Sequence, residues 1–198
     1  MKVKNIAIFA SGRGSNAQKI IDYFEHRKNI RVRLIISNKA KAGVIELAEA
    51  RGIEFLIIQR ESFYETETLI ENLREADIDL IVLAGFLWLI PKYLIRDFNK
   101  RIINIHPALL PKYGGKGMYG HHVHEAVFQH KDKVSGITIH LVNEYYDEGK
   151  HLFQVSCPLE LTDKPEDIAA KVLALEHLYF PQVVDQYLDT LDKKWIKV

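Results

Sequence analysis

Apolar residues in this chain come in short runs separated by amphipathic stretches. Lys4–Ala10 holds a run from Ile6 to Ala10, too short for a helix, and reads as a buried strand. Ser15–Glu25 follows, with Ile20, Ile21 and Phe24 on one helical face. Arg31–Ser37 reads as a second strand, Ala42–Arg51 as a helix closed by Gly52, and Glu54–Gln59 as a third strand. Ser62, with Glu65 three residues on, has the form of a capping box and predicts a helix to about Glu75. Ile78–Ala84 is almost continuously apolar, the mark of a central parallel strand covered on both faces, and Arg101–His106 is the next strand. Strand-to-helix alternation requires right-handed crossovers. The expected fold class is therefore α/β: a Rossmann-like, open, mostly parallel sheet with helices on both faces. From Ser135 the pattern changes. Gly136–Val142 and His151–Ser156 are strands with no helix between them, which predicts a mixed C-terminal portion. Pro165 to about Leu191 reads as a long helix capped by Thr162 or Asp163. No linker, repeat or low-complexity tract interrupts the pattern, so residues 1–198 read as a single domain.

Composition narrows the classes. Apolar residues make up 47% and charged residues 27% of the 198, as in ordinary globular proteins. Lys and Arg number 27 against 26 Asp and Glu, a formal net charge of +1. That balance gives no general pull toward nucleic acid or an anionic membrane, so the expected partners are small molecules, with no nucleic acid and no membrane. No stretch approaches the roughly 18 apolar residues of a membrane span. The run at Ile6–Ala10 is too short for a signal peptide, and the expected location is cytoplasmic. The single Cys157 excludes an internal disulfide and is expected to be a small buried residue rather than a nucleophile. Tyr187 and Trp195 are expected to pack rather than to stack on a ligand.

Chemistry enters at the loop after the first strand, Ala10-Ser11-Gly12-Arg13-Gly14-Ser15-Asn16-Ala17. Glycines let a backbone approach a ligand closely. Free N–H groups at a helix start, with the helix dipole behind them, favour an anion. Crevices at the C-terminal ends of strands are where open α/β sheets bind ligands, so a phosphate site is the favoured reading. Gly12-x-Gly14-x-x-Ala17 also fits the loose dinucleotide fingerprint, but the second strand ends Ser37-Asn38-Lys39 with no acid for a ribose hydroxyl. That disfavours NAD. Lys39 leaves an NADP 2′-phosphate open, and no Walker pattern points to ATP.

A second candidate is Ile102-Ile103-Asn104-Ile105-His106-Pro107. Side chains alternate across a strand, so Asn104 and His106 share one face while Ile103 and Ile105 share the other. An amide donor and an imidazole at a sheet edge suit an oxyanion and a proton. An isolated Asn-x-His more often satisfies loop backbone. Asp147, in the polar stretch Asn143–Gly149 between two strands, can hold His106 in one tautomer, but the sequence alone does not bring the two together. His121-His122-Val123-His124 with Glu125 has no second ligand cluster, so no metal is expected and these histidines read as solvent-facing or lid residues. Lys171 reads as a solvated helix lysine that can also face a phosphate.

Taken together these segments resemble the glycinamide ribonucleotide formyltransferase family, from about Ile6 to Leu188. The matching stretches are Ser11–Asn16, Ser37–Lys39, Leu83-Ala84-Gly85-Phe86, Asn104–Lys112, Gly136–His140, Asp147-Glu148-Gly149 and Glu176-His177. Asn-x-His-Pro-x-Leu-Leu-Pro marks folate-dependent formyltransferases in general. The Gly-Ser-Asn loop and the Glu-His pair point to the ribonucleotide branch.

The resemblance implies transfer of a formyl group from 10-formyltetrahydrofolate, as co-substrate, to the amine of 5-phosphoribosylglycinamide in purine (IMP) biosynthesis, with no metal. It implies a catalytic trio of Asn104, His106 and Asp147. The substrate side falls on Gly12, Arg13, Gly14, Ser15 and Asn16, with Lys171 and Glu176. The folate side falls on Phe86, Leu87, Trp88 and Leu89 and on Val142, Asn143, Glu144, Tyr145 and Tyr146. Thr138 and His140 are placed behind the trio as support. Three features depart from the family pattern: Trp88 stands where an Arg is frequent, Gly114–Gly120 is longer and richer in glycine, and Lys150-His151 follow the Asp-Glu-Gly. Two other readings stand beside this one. The methionyl-tRNA type of formyltransferase carries a further RNA-binding domain, which this chain is not expected to have. A non-catalytic nucleotide-binding module needs only the glycine loop. The assembly is expected to be a monomer or a homodimer.

Overall fold

A computed structural model describes residues 3–191. Its strands are β1 (Lys4–Phe9), β2 (Ile30–Ser37), β3 (Glu54–Ile57), β4 (Ile78–Leu83), β5 (Ile102–His106), β6 (Val134–Leu141) and β7 (His151–Pro158). They form one seven-stranded sheet in the order β3-β2-β1-β4-β5-β6-β7. β1 to β5 pair in parallel, and β6 and β7 join antiparallel, the mixed C-terminal portion expected from the pattern. The helices are α1 (Ser15–Phe24), α2 (Gly43–Ala50), α3 (Arg60–Glu65), α4 (Thr68–Glu75), α5 (Lys92–Asp97), α6 (His121–Gln129) and α7 (Pro165–Thr190).

Alternation along the strands sends side chains into two cores. Ile6, Ile8, Leu80, Val82, Ile103 and Ile105 pack with residues of α1, α2, α6 and α7 on one face. Ala7, Phe9, Ile81, Leu83 and Ile102 pack with Phe63, Leu69 and Leu94 from α3, α4 and α5, and with Phe98 just after α5, on the other. Asn104 and His106 share the parity of Ile102, so they lie on the second face, past the end of its apolar layer. The chain turns back at β1, which has β2 on one side and β4 on the other. That switch point opens a crevice at the strand C-termini. It is laced by the Ser11 N–H donating to Gly85 O (3.0 Å) and the Leu87 N–H donating to Ser11 Oγ (3.1 Å).

Helix starts depart from expectation in two places. The predicted helix from Ser62 to Glu75 is two helices, broken at Thr66, whose backbone is extended. Ser62 does not cap: it lies inside α3, and its hydroxyl donates to Gln59 O. Likewise α7 is capped by Lys164, not by Thr162 or Asp163. Asp167 Oδ2 accepts the Lys164 N–H at 2.9 Å, while Asp163 turns back to accept the Glu160 N–H and pairs with Lys171. Gly52 follows α2 with φ +61°, as a glycine closing a helix should. Tyr187 packs on the first core and donates to Lys100 O, whereas Trp195 lies outside the described residues. Cys157 is only half-buried, not buried as expected, because it lies on β7, the edge strand of the sheet. Among the described residues no helix is long and apolar enough to cross a membrane.

Candidate active site

The crevice is a cleft of about 910 Å³, within the range of small-molecule sites. Its floor is the end of β5. Asn104 stands directly across from His140 on β6, and His106 across from Thr138. Asp147 comes from the β6–β7 connection, and a glycine lets it arrive. A Cβ on Gly149 would lie 1.6 Å from Leu141 O, so only glycine allows the connection to fold this tightly against β6.

The three expected catalytic groups meet. Asp147 Oδ2 lies 3.5 Å from His106 Nδ1 and accepts the Gly115 N–H at 2.9 Å. Asn104 Nδ2 lies 3.1 Å from His140 Nε2 and 3.5 Å from Asp147 Oδ1. Carbonyl partners fix the ring protons, because a carbonyl only accepts. His140 Nδ1 donates to Leu141 O at 2.9 Å, leaving Nε2 to accept from the Asn104 amide. His106 Nε2 donates to Tyr113 O at 2.7 Å, which turns Nδ1 toward Asp147.

Electrostatics follow from this packing. Burial pushes His106 below the ordinary imidazole value, although Asp147 and the Tyr113 carbonyl pull the other way. Burial works to raise Asp147, but His140, the charge of His106 and the Gly115 N–H outweigh it and hold the carboxyl below its ordinary range. The carboxylate is thus the fixed charge of the site, and it faces His106 Nδ1.

The glycine-loop side is built differently from expectation. Ser11, Gly12 and Asn16 line the cleft, whereas Arg13, Gly14 and Ser15 do not. Gly14, at φ +82°, caps α1 with its backbone, and a Cβ there would press on Val44 of α2 at 3.0 Å. Its role is to seat the loop on α2, which the Val44 N–H secures by donating to Gly12 O. From α7, Ala169, Leu173 and Glu176 face the cleft. Lys171 is held by Asp163 instead, and the ammonium groups lining the cleft are Lys39 and Lys116. Asn16 Nδ2 donates to Glu176 Oε2 at 2.5 Å, and Asn16 Oδ1 is buried without a partner among the described residues. Burial pushes the Glu176 carboxyl up to about 7, an effect the Asn16 contact partly offsets.

On the opposite side Phe86, Leu87, Trp88 and Leu89 line the cleft with Val142, Tyr145 and Tyr146. Asn143 and Glu144 do not. Asn143 accepts the Tyr145 N–H, and Glu144 pairs with Lys92 at 2.7 Å. Trp88 belongs to an aromatic group with Phe63 and Tyr64, centroids 5.5 and 6.1 Å away. The Arg60 guanidinium stands 5.6 Å over the Trp88 ring and 5.2 Å over Tyr64. Thr138 supports rather than touches the trio: its hydroxyl donates to Ala108 O and accepts from Leu110 N and Gln154 Nε2, fixing the turn after β5. His140 touches both Asn104 and Asp147 directly. His121 and His122 are exposed, but His124, expected toward solvent, is buried in the cleft wall. Sequence reasoning missed it because one helical turn of polar residues does not reveal what the helix leans on.

The family model described as formyl transferase matches residues 4–184. Phosphoribosylglycinamide formyltransferase of Bacillus subtilis is 35% identical over 191 residues, covering 94% of this chain and 95% of that protein. The chloroplastic phosphoribosylglycinamide formyltransferase of Arabidopsis thaliana is 42% identical over 91% of this chain; the chain spans 64% of the length of that plant relative. The solved structure of phosphoribosylglycinamide formyltransferase from Bacillus halodurans superposes with a TM-score of 0.86 at 31% identity, covering 98% of this chain and 100% of that one. An amide, an imidazole and a carboxylate at the end of β5, on a chain with this likeness along nearly its whole length, fix its place: the chain belongs to the formyl transferase family, among the phosphoribosylglycinamide formyltransferases.

Proposed function

We propose that this protein transfers the formyl group of 10-formyltetrahydrofolate to the amine of 5-phosphoribosylglycinamide. The products are formylglycinamide ribonucleotide and tetrahydrofolate, a step of purine biosynthesis. The observation that carries the reading is that Asp147 lies 3.5 Å from both Asn104 and His106 on the floor of one cleft. The cleft has two unlike halves, as two unlike substrates require. The glycine loop, Lys39 and Glu176 suit a phosphorylated sugar carrying an amine. The apolar wall from Phe86 to Leu89, with Val142 and Tyr146, suits a flat pterin.

The neutral amine attacks the formyl carbon, and negative charge develops on the formyl oxygen. Two donors are positioned for it. One is the His106 Nε2–H that rests on the Tyr113 carbonyl; the other is the Asn104 N–H that rests loosely on Asp147. Both exchange a protein acceptor for the oxyanion. Asp147 stabilises the ring when Nδ1 carries the second proton, and orders a water that moves the amine proton toward the departing N10. Glu176 and Asn16 orient the amine end. In this reading residues 1–198 act as one domain, in the cytoplasm, on small molecules alone, without nucleic acid and without a resident metal.

A spectrophotometric assay with 10-formyltetrahydrofolate and the ribonucleotide tests the proposal. Activity that needs both substrates and is lost in His106→Ala supports it. Purified, folded protein without transfer activity overturns it and leaves the nucleotide-binding reading.

A further inference from the structure

The inference rests on the reading above, that the acceptor is a primary amine. An α-amino group titrates near about 8, so at neutral pH the acceptor arrives mostly as an ammonium ion. Only the neutral amine attacks. The new C–N bond forms, the bond from the formyl carbon to N10 breaks, and the three ammonium protons part. One stays on nitrogen in the product, one moves to N10, and the third belongs to neither product. One proton per turnover must leave the cleft.

Three histidines lead from the cleft floor to its rim. His106 lies at the floor with both ring nitrogens engaged. His124, on the first turn of α6, is 7% exposed, and its ring makes no hydrogen bond to any described residue, with Nδ1 enclosed without a partner. His121, three residues earlier on the same helical face, is exposed and also lines the cleft. We infer that His124 takes the ammonium proton of the acceptor and passes it through His121 to solvent.

The surroundings leave His124 as the free base. Asp147 is committed to His106 and the Gly115 N–H, and Glu176 to Asn16. The other charged groups facing the cleft, Lys39 and Lys116, are cationic. Burial, helped by the neighbouring imidazoles of His106 and His121, holds His124 below the ordinary imidazole value, so it is neutral and able to accept at pH 7. A histidine kept only for packing has no need of two imidazole neighbours and an unpartnered nitrogen.

The experiment compares kcat of wild type, His124→Gln and His124→Ala at saturating substrates from pH 6 to 9, after thermal melts show that the variants fold. The expected result is a loss of about a hundredfold at pH 7, the lower end for a positioned proton-transfer group. It shrinks above pH 8, where the amine arrives neutral, and added imidazole restores His124→Ala. No loss, a loss equal at every pH, or a change confined to KM overturns the relay. If neither variant folds, exposed His121→Ala decides: its kcat at pH 7 should come to depend on buffer concentration, and independence overturns the relay. A wild type that transfers no formyl group defeats the functional reading itself. An active wild type whose variants show no pH-dependent defect defeats only the relay.

Discussion

Glu176 offers a test of the cleft's electrostatics that needs no substrate. Its carboxyl is buried in the middle of α7 and meets one donor, the Asn16 amide. In the folded chain it titrates at about 7, against an ordinary 4.5. A carboxyl whose folded value is raised favours the fold while protonated in both states. It loses that advantage as pH climbs from 4.5 through 7, because the unfolded chain ionises first. At about 1.4 kcal/mol per pH unit, the span corresponds to about 3 kcal/mol lost by pH 8. Glu176→Gln keeps the shape and the oxygen that Asn16 meets, and removes the ionisation. Urea unfolding followed by circular dichroism should show the variant about 3 kcal/mol more stable than wild type at pH 8, with the gap closing toward pH 5. A variant no more stable than wild type at pH 8 would refute the argument, since it would mean that water or a cation already solvates the carboxylate in the fold.

Other outcomes follow from the same geometry. Asn104→Ala removes one oxyanion donor, worth about 3–4 kcal/mol, and should lower kcat by two to three orders of magnitude with little change in melting temperature; steady-state kinetics beside a thermal melt checks both. Gly149→Ala places a Cβ on the Leu141 carbonyl and should displace Asp147, so kcat and stability fall together, and a fully active variant would show that the connection has another route. Trp88→Ala opens the apolar wall and should raise KM for the formyl donor about tenfold, leaving KM for the ribonucleotide within twofold, as measured by varying each substrate in turn.

Much of this was readable from the chain. Strand and helix differ in period, so β1 to β5 and their crossovers stand out as alternating buried runs and amphipathic stretches. The shared face of Asn104 and His106 follows from strand alternation alone. The arrival of Asp147 does not, because it depends on Gly149 folding the connection back on β6 and on the antiparallel register of β6 against β5. The place of Lys171 was legible too. Ala169, Leu173 and Glu176 are spaced four and three residues apart and share one stripe of α7, whereas Lys171 lies off it and reaches Asp163. The break at Thr66 was hidden because Ser62 and Glu65 mimic a helix start that the chain places one turn earlier, at Gln59.

The division of the cleft among strands has an evolutionary corollary. In the proposed reading one substrate is met by the loop after β1 and by α7, the other by the loop after β4 and by the β6–β7 connection, while β5 brings Asn104 and His106 and the end of that connection brings Asp147. Separate stretches of chain thus govern what gives and what receives. Exchanging the segment from Val142 to Tyr146 can retune the choice of carrier while the receiving pocket and the chemistry stay as they are.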